Sequence, residues 1–417
     1  MLFVAWLVTA LLQAQSDDLL MLPGLTGPER EVFRDGLAVF RKQVSVKGVE
    51  GFADTEAGLG PYFNMDSCQG CHSHPTSGGS SPLDNQQREA AVRAGAANRV
   101  PAFIKPQSAA IQLRARQALA PWLPAGSVVP LFTITGRSDA PNCDLPQMRI
   151  DQMFRHGQVA IRMAPAIYGS GLIEAIPDGT IVANGKKDEA KRRLFGVRGR
   201  PHVLSGGRVG RFGWKASHAS LEQFIAEAYA VEQGVTNDLY SQEPFPVPPG
   251  CLQPTPEDRR NYFARRGIDS HSNVDRLTHF VRHLAAPVPH DSGPRDPELA
   301  QASQTFEDIG CGLCHTPTLL TGASAYGNLA EKPVPLYSDL LLDRMGKALA
   351  DGVNQGLATG DMFRTAPLWG LGKRHFFCMM GAPEAFWRRS KRMAALSQMR
   401  GRAFAAFGFY PPPCVTV

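Results

Sequence analysis

The same five-residue frame occurs twice, as Cys68-Gln69-Gly70-Cys71-His72 and as Cys311-Gly312-Leu313-Cys314-His315, and it constrains the chain more than any other feature. Two residues between the cysteines put both sulfurs on one side of a helical turn, where they can bond the two vinyl groups of a haem. The next residue aims an imidazole at the iron. A zinc site would want two such pairs close together, but these lie 243 residues apart. A thioredoxin-like redox pair would leave the histidine unexplained in both copies. The frames therefore predict two covalently bound haems of the c type, attached at Cys68, Cys71, Cys311 and Cys314, with His72 and His315 as iron ligands.

The N-terminus points to export. Leu2 to Leu12 is an apolar run broken only by Thr9, and a polar stretch from Gln13 to Asp18 follows it. Too short to cross about 30 Å of hydrocarbon, the run reads as a signal peptide over residues 1–15. The mature chain is then expected in the periplasm, or otherwise exported, with no membrane span. Two further cysteines, Cys143 and Cys251, either pair in such a compartment or remain separate buried thiols. The formal charge of +6 does not indicate a nucleic-acid partner. The last 40 residues carry Arg388, Arg389, Lys391, Arg392, Arg400 and Arg402 against Glu384 alone, so the remainder is near neutral and offers no basic stripe to a phosphate backbone.

The 41 glycines and 33 prolines predict long irregular connections. Each cysteine frame follows an amphipathic helix with a small residue four positions before a phenylalanine, Gly36 before Phe40 and Ala302 before Phe306, a pattern that allows close helix packing. Ser220 to Glu232 is the clearest helix, with Leu221, Phe224, Ile225, Ala228 and Tyr229 on one face, and Asp275 to Leu284 is another. Pro287 to Pro297 reads as a linker. The expected division is an N-terminal haem domain with an elaborated middle region over 16–290, and a C-terminal cytochrome c-like domain over 291–417.

Several longer motifs carry a resemblance. They are Gly58-Leu59-Gly60-Pro61 with Phe63-Asn64, the run Gly169-Ser170-Gly171-Leu172-Ile173-Glu174-Ala175-Ile176-Pro177-Asp178, Arg211-Phe212-Gly213-Trp214-Lys215-Ala216 and Glu232-Gln233-Gly234-Val235-Thr236-Asn237, then Tyr337-Ser338-Asp339-Leu340-Leu341-Leu342 and Arg364-Thr365-Ala366-Pro367-Leu368-Trp369-Gly370-Leu371-Gly372. Over roughly residues 30 to 377 the chain resembles the di-haem oxidoreductase family, which is distantly similar to bacterial di-haem cytochrome c peroxidases. The resemblance implies a mostly α fold with two cytochrome c-like haem domains, long irregular loops and a few short strands. After this point the family continues with His-Asp-Gly, whereas this chain reads Cys378-Met379-Met380-Gly381. The codons TGY-ATG-ATG-GGN read His or Tyr, Asp, Gly when the frame starts on each third base. We therefore hypothesise a frameshift from about residue 378, which an uninterrupted frame on resequencing would remove.

What fills the second axial position of each iron decides the chemistry, because Met or His there gives electron transfer and an open site gives peroxide activation. Met345, 30 residues after His315, and Met362 are candidates for the second haem, while His156, His202 and His218 remain open for the first. Glu174 and Arg162 are candidate acid–base or charge-stabilising groups for O–O cleavage, with Glu174 as a turn anchor the plainer reading. The family resemblance implies a peroxidase-like oxidoreductase that draws electrons from a small redox protein or another donor. A non-catalytic electron carrier, or an inactive remnant with a disrupted C-terminus, are the competing readings.

Overall fold

The computed structural model describes residues 17–48, 58–251, 258–260, 271–288 and 297–376. The expected signal peptide, most of the expected linker and the divergent tail lie outside the described residues.

The helix Gly27–Arg41 starts where Thr26 and Glu29 form a capping box and Pro28 occupies the first turn. Its apolar residues Phe33, Gly36, Leu37 and Phe40 recur at helical spacing and are buried. They pack against the helix Asn273–Arg282, which has its own capping box from Ser272 and Asp275. Phe280 sits between Phe33 and Phe40, with ring centroids 5.1 and 5.0 Å away, and each buried ring contributes roughly 1.5–3 kcal/mol. A Cβ on Gly36 would collide with the Arg276 carbonyl, so the small residue lets the two helix backbones touch. The helix Leu221–Glu232 is capped by Ser220 and buries Leu221, Ile225, Ala226, Tyr229 and Ala230, and the Tyr229 hydroxyl accepts from Asn273 Nδ2 at 3.2 Å. These helices make up much of one core, which also takes in Leu319, Leu336, Leu340, Leu341 and Trp369 from later in the chain.

The second core is built on strands. Ile111–Ala115 is the centre of an antiparallel sheet between Val128–Val129 and Val159–Met163, with Gln112 opposite Arg162 and Leu113 opposite Ile161. Side chains alternate across a strand, so Leu113 and Ala115 enter the core while Gln112, Arg114 and Arg162 share the other face. Four two-stranded antiparallel sheets complete the described strands, among them Tyr62–Phe63 with Phe132–Thr133 and Leu342–Arg344 with Met362–Arg364.

This architecture overturns the mostly α expectation. Helices hold 29% of the described residues and strands 14%, and five small sheets share the structure with the helices. The glycine and proline content that predicts irregular connections also keeps helices short, and the chain between the two cysteine frames uses the freed backbone for strand pairing.

Cys143 and Cys251 are bonded, with an S–S distance of 2.08 Å and a separation of 108 positions along the chain. Closing a loop of that length stabilises by about 4–5 kcal/mol on chain-entropy grounds. Among the described residues no helix is long and apolar enough to cross a membrane.

Candidate functional site

The first cysteine frame lies between the two cores, Cys68 packing on the helical one and Cys71 on the strand one. The His72 amide donates to the Cys68 carbonyl at 3.1 Å, and this single turn brings both sulfurs to the same side. Gly70 donates its N–H to Ser67 Oγ at 3.1 Å. A side chain at position 70 would run into the Met65 thioether. His72 Nδ1 lies 3.3 Å from the Gly79 carbonyl. A carbonyl only accepts, so that contact calls for the proton on Nδ1 and the lone pair on Nε2, while the Pro165 carbonyl also acts on the ring. Burial lowers the imidazole pKa, which favours the neutral, ligating form. Burial also pushes the Cys68 thiol up to about 12 and raises the Cys71 thiol.

The frame opens onto a cavity with about 1350 Å³ of atom-free space, its mouth included, of which about 190 Å³ admits the centres of water molecules. The apolar end is formed by Phe40, Ile225, Tyr229, Leu277 and Val281, and the polar wall by Gln112, Arg114, Arg162, Glu227, Glu232 and Gln355. The enclosed 190 Å³ is smaller than the roughly 300–1,000 Å³ of typical ligand pockets, so a haem bound at this frame would also occupy the open mouth. Two thiols and one imidazole on its lip are the donor set that such a group requires.

Two glycines from distant parts of the chain explain how Glu232 reaches this cavity. Gly60 lies against the Gly234 backbone so closely that a Cβ would strike its carbonyl, and Gly234 has φ +72°. Their contact carries the end of the Leu221–Glu232 helix onto the segment before the frame. There Asn64 and Met65 donate their amides to the Glu232 carbonyl at 2.7 and 3.1 Å. The Glu232 carboxylate accepts from Asn64 Nδ2 at 2.9 Å and from Gln112 Nε2. Its remaining surface faces the cavity, and burial raises its pKa. Five residues earlier, Glu227 pairs with His218 Nε2 at 3.1 Å.

The second frame repeats the first in outline. The His315 amide donates to the Cys311 carbonyl at 2.9 Å, and His315 Nδ1 lies 2.8 Å from the Tyr337 carbonyl, so the proton is again called for on Nδ1. Gly310 precedes the turn with φ +85°, where a Cβ would meet the Phe195 ring. Burial raises the Cys314 thiol. Two buried carboxyls, Asp339 and Asp343, lie beside it with pKa values raised by burial and, for Asp339, by the neighbouring Asp343. Arg192 Nη2 reaches Asp339 at 3.2 Å. Among the described residues no cluster of three or more His, Cys, Asp or Glu side chains could hold a bare metal ion.

The other candidates are distributed widely. Arg162 lines the cavity, but its guanidinium is held by Asp351 at 2.7 Å and Gln355 at 2.6 Å, and Asp351 also pairs with Lys215 at 3.2 Å. Glu174 is not among the cavity-lining residues; it bridges to Arg282 at 2.7 Å and accepts the Leu221 amide at the start of its helix. Met345 is half-buried, with its amide bonded to Asp361. Met362 is buried with its sulfur 3.4 Å from Arg200. His156 is exposed at a helix end, and both ring nitrogens of His202 are engaged, by the Lys215 carbonyl and the Leu357 amide. Gln112, Arg114, Glu227 and Glu232 were not singled out by sequence reasoning. The available signal was Glu232 itself, which opens one of the longer motifs and ends the helix Leu221–Glu232.

The chain matches the family model described as "Di-haem oxidoreductase, putative peroxidase" over residues 125–381. The matched stretch contains the second cysteine frame and starts after the first, which narrows the residue 30 to 377 span of the resemblance at its N-terminal end. No curated protein and no solved structure matches the chain.

Proposed function

The chain belongs to the di-haem oxidoreductase family, and from that premise we propose that it is an exported c-type cytochrome that reduces a peroxide at a haem held in the first cavity. Cys311, Cys314 and His315 would hold the second haem, which would supply a redox-active iron for electrons from a small redox protein. One observation carries this reading: among the described residues that line the cavity, His72 is the only histidine. His72 would hold a haem there, and with no second histidine in the lining the bound group would be accessible to an oxidant. The Cys143–Cys251 bond supports an oxidising compartment such as the periplasm.

When bound, the haems supply redox-active iron and the storage of electrons between donor and oxidant. The protein's own groups handle protons and position. Burial holds a proton on Glu232 more tightly than on an exposed glutamate, and the Asn64 and Gln112 amides fix where its two oxygens point. From there Glu232 can deliver a proton to an oxygen of the substrate. Arg162 is fixed by Asp351 and keeps a positive charge on the cavity wall, where it favours an oxygen that gains negative charge.

Glu232→Gln is expected to lower peroxide turnover about 100-fold while leaving two haems per chain, measured by steady-state kinetics beside a pyridine haemochrome assay. Turnover at the parent rate would remove Glu232 from this role. Met65 and Met163 also line the cavity, and this favours the electron-carrier reading if either sulfur occupies the iron. A high-spin, five-coordinate spectrum from one of the two haems supports the peroxidase; two low-spin, six-coordinate haems support the carrier.

A further inference from the structure

The cavity wall is thin on the side facing the Leu221–Glu232 helix. A groove lined by His202, Arg208, His218, Tyr240 and Gln355 lies outside it, with about 950 Å³ open to the centres of water molecules, and it shares Ser217 and Gln355 with the cavity. One side-chain contact spans the wall. His218 lines the groove, Glu227 lines the cavity, and His218 Nε2 and Glu227 Oε2 are 3.1 Å apart. On the groove side Ser217 Oγ lies 3.1 Å from His218 Nδ1. On the cavity side, Glu227 is 3.9 Å from Arg114 Nη1. Arg114 Nε donates to Gln112 Oε1 at 2.7 Å, and Gln112 Nε2 donates to Glu232. Side chains thus run without a break from the groove to the inner carboxyl of the cavity.

We propose that His218 and Glu227 form the proton inlet of the first haem cavity. The proposal rests on the reading that Cys68, Cys71 and His72 hold a haem there. An imidazole suits the outer position because it can take a proton from groove water on Nδ1 and release the one on Nε2 to Glu227. Glu227 then passes it to water in the cavity. Arg114 does not lose its proton; it orients Glu227 and Gln112. Each turnover draws two protons through the inlet and two electrons from one-electron donor proteins. The peroxide O–O bond breaks, two O–H bonds form, and two waters leave. Arg211 and Phe212 pair with the backbone carbonyl of His218, not with its ring, so a variant that loses the imidazole retains this local fold.

The test uses full-length protein matured in a host with haem c assembly machinery, comparing the parent with His218→Ala and Glu227→Gln. Two rates are read: proton uptake on haem reduction, followed with a pH-indicator dye in weak buffer, and hydrogen peroxide turnover in H2O and D2O. In both variants each rate is expected to fall about tenfold or more with a larger solvent isotope effect, at unchanged haem content. Added imidazole should restore His218→Ala through the roomy groove. Proton uptake at the parent rate in both variants overturns the inlet. If the parent holds two haems yet does not turn over peroxide, the peroxidase reading fails, and proton uptake alone decides the inlet. A parent with no haem at Cys68 and Cys71 overturns both.

Discussion

Replacing both Cys68 and Cys71 with alanine is expected to leave one covalently bound haem per chain and to lower the unfolding free energy by up to about 4–5 kcal/mol. The size follows from the cavity. About 190 Å³ stands open between the two cores, and unfilled cavities cost about 24 cal/mol per Å³ when their walls do not collapse. Collapse is resisted here because the lining belongs to two separate cores, helices on one side and a sheet on the other. Against a typical total of 5–15 kcal/mol, a loss of this size brings the variant close to unfolding. Haem content after denaturation, read as pyridine haemochrome, and urea unfolding curves check the two parts separately. Retention of two covalent haems would refute the assignment of the first frame, and unchanged stability would mean that the cavity is not filled by a cofactor in the mature protein.

Asp351→Ala is expected to destabilise the protein by about 3–5 kcal/mol. Asp351 is fully buried between two cations, Arg162 Nη2 at 2.7 Å and Lys215 Nζ at 3.2 Å, with side-chain exposures of 4% and 0%. Removing it leaves both charges in a low-dielectric interior without their partner, where breaking a buried pair costs several kcal/mol. The strain is already visible at Lys215: burial lowers its pKa to about 8, even though Asp351 acts in the opposite direction. The cost should therefore shrink when one cation is removed as well. Asp351→Ala combined with Lys215→Met, which keeps the apolar length of the side chain, is expected to be more stable than Asp351→Ala alone. Equal stabilities for the parent and Asp351→Ala, measured by urea unfolding, would count against this account of the cluster. Because Arg162 lines the cavity, the same substitution should also shift the absorption spectrum of the first haem.

Part of this site was legible in the chain before any coordinates. Both cysteine frames, with their histidines, form the single turns that their spacing demands, and in each Nδ1 contacts a backbone carbonyl. The helices Leu221–Glu232 and Asn273–Arg282 stand within two residues of where their apolar spacing put them, whereas the Cys143–Cys251 bond decides a pairing that the sequence left open. The mostly α expectation did not survive. Among the described residues the longest strands have five residues and most have two, too few for an alternating pattern to stand out from background.

Spacing along the chain determined what a single turn can accomplish: two sulfurs on one side, an imidazole beside them, an apolar face on a helix. Covalent geometry enforces such relations over a few residues whatever the remainder of the molecule does. Only the tertiary structure decided that Gln112, Glu227 and Glu232 would meet around one cavity, with Asn64 bonded to Glu232, and that Arg162 would be tied to Asp351, 189 residues away. Those partners come from different elements, brought together by glycine contacts such as Gly60 on Gly234 and by the register of Ile111–Ala115 against Val159–Met163. Contacts of that kind are set by how the two cores pack, and no local spacing encodes them.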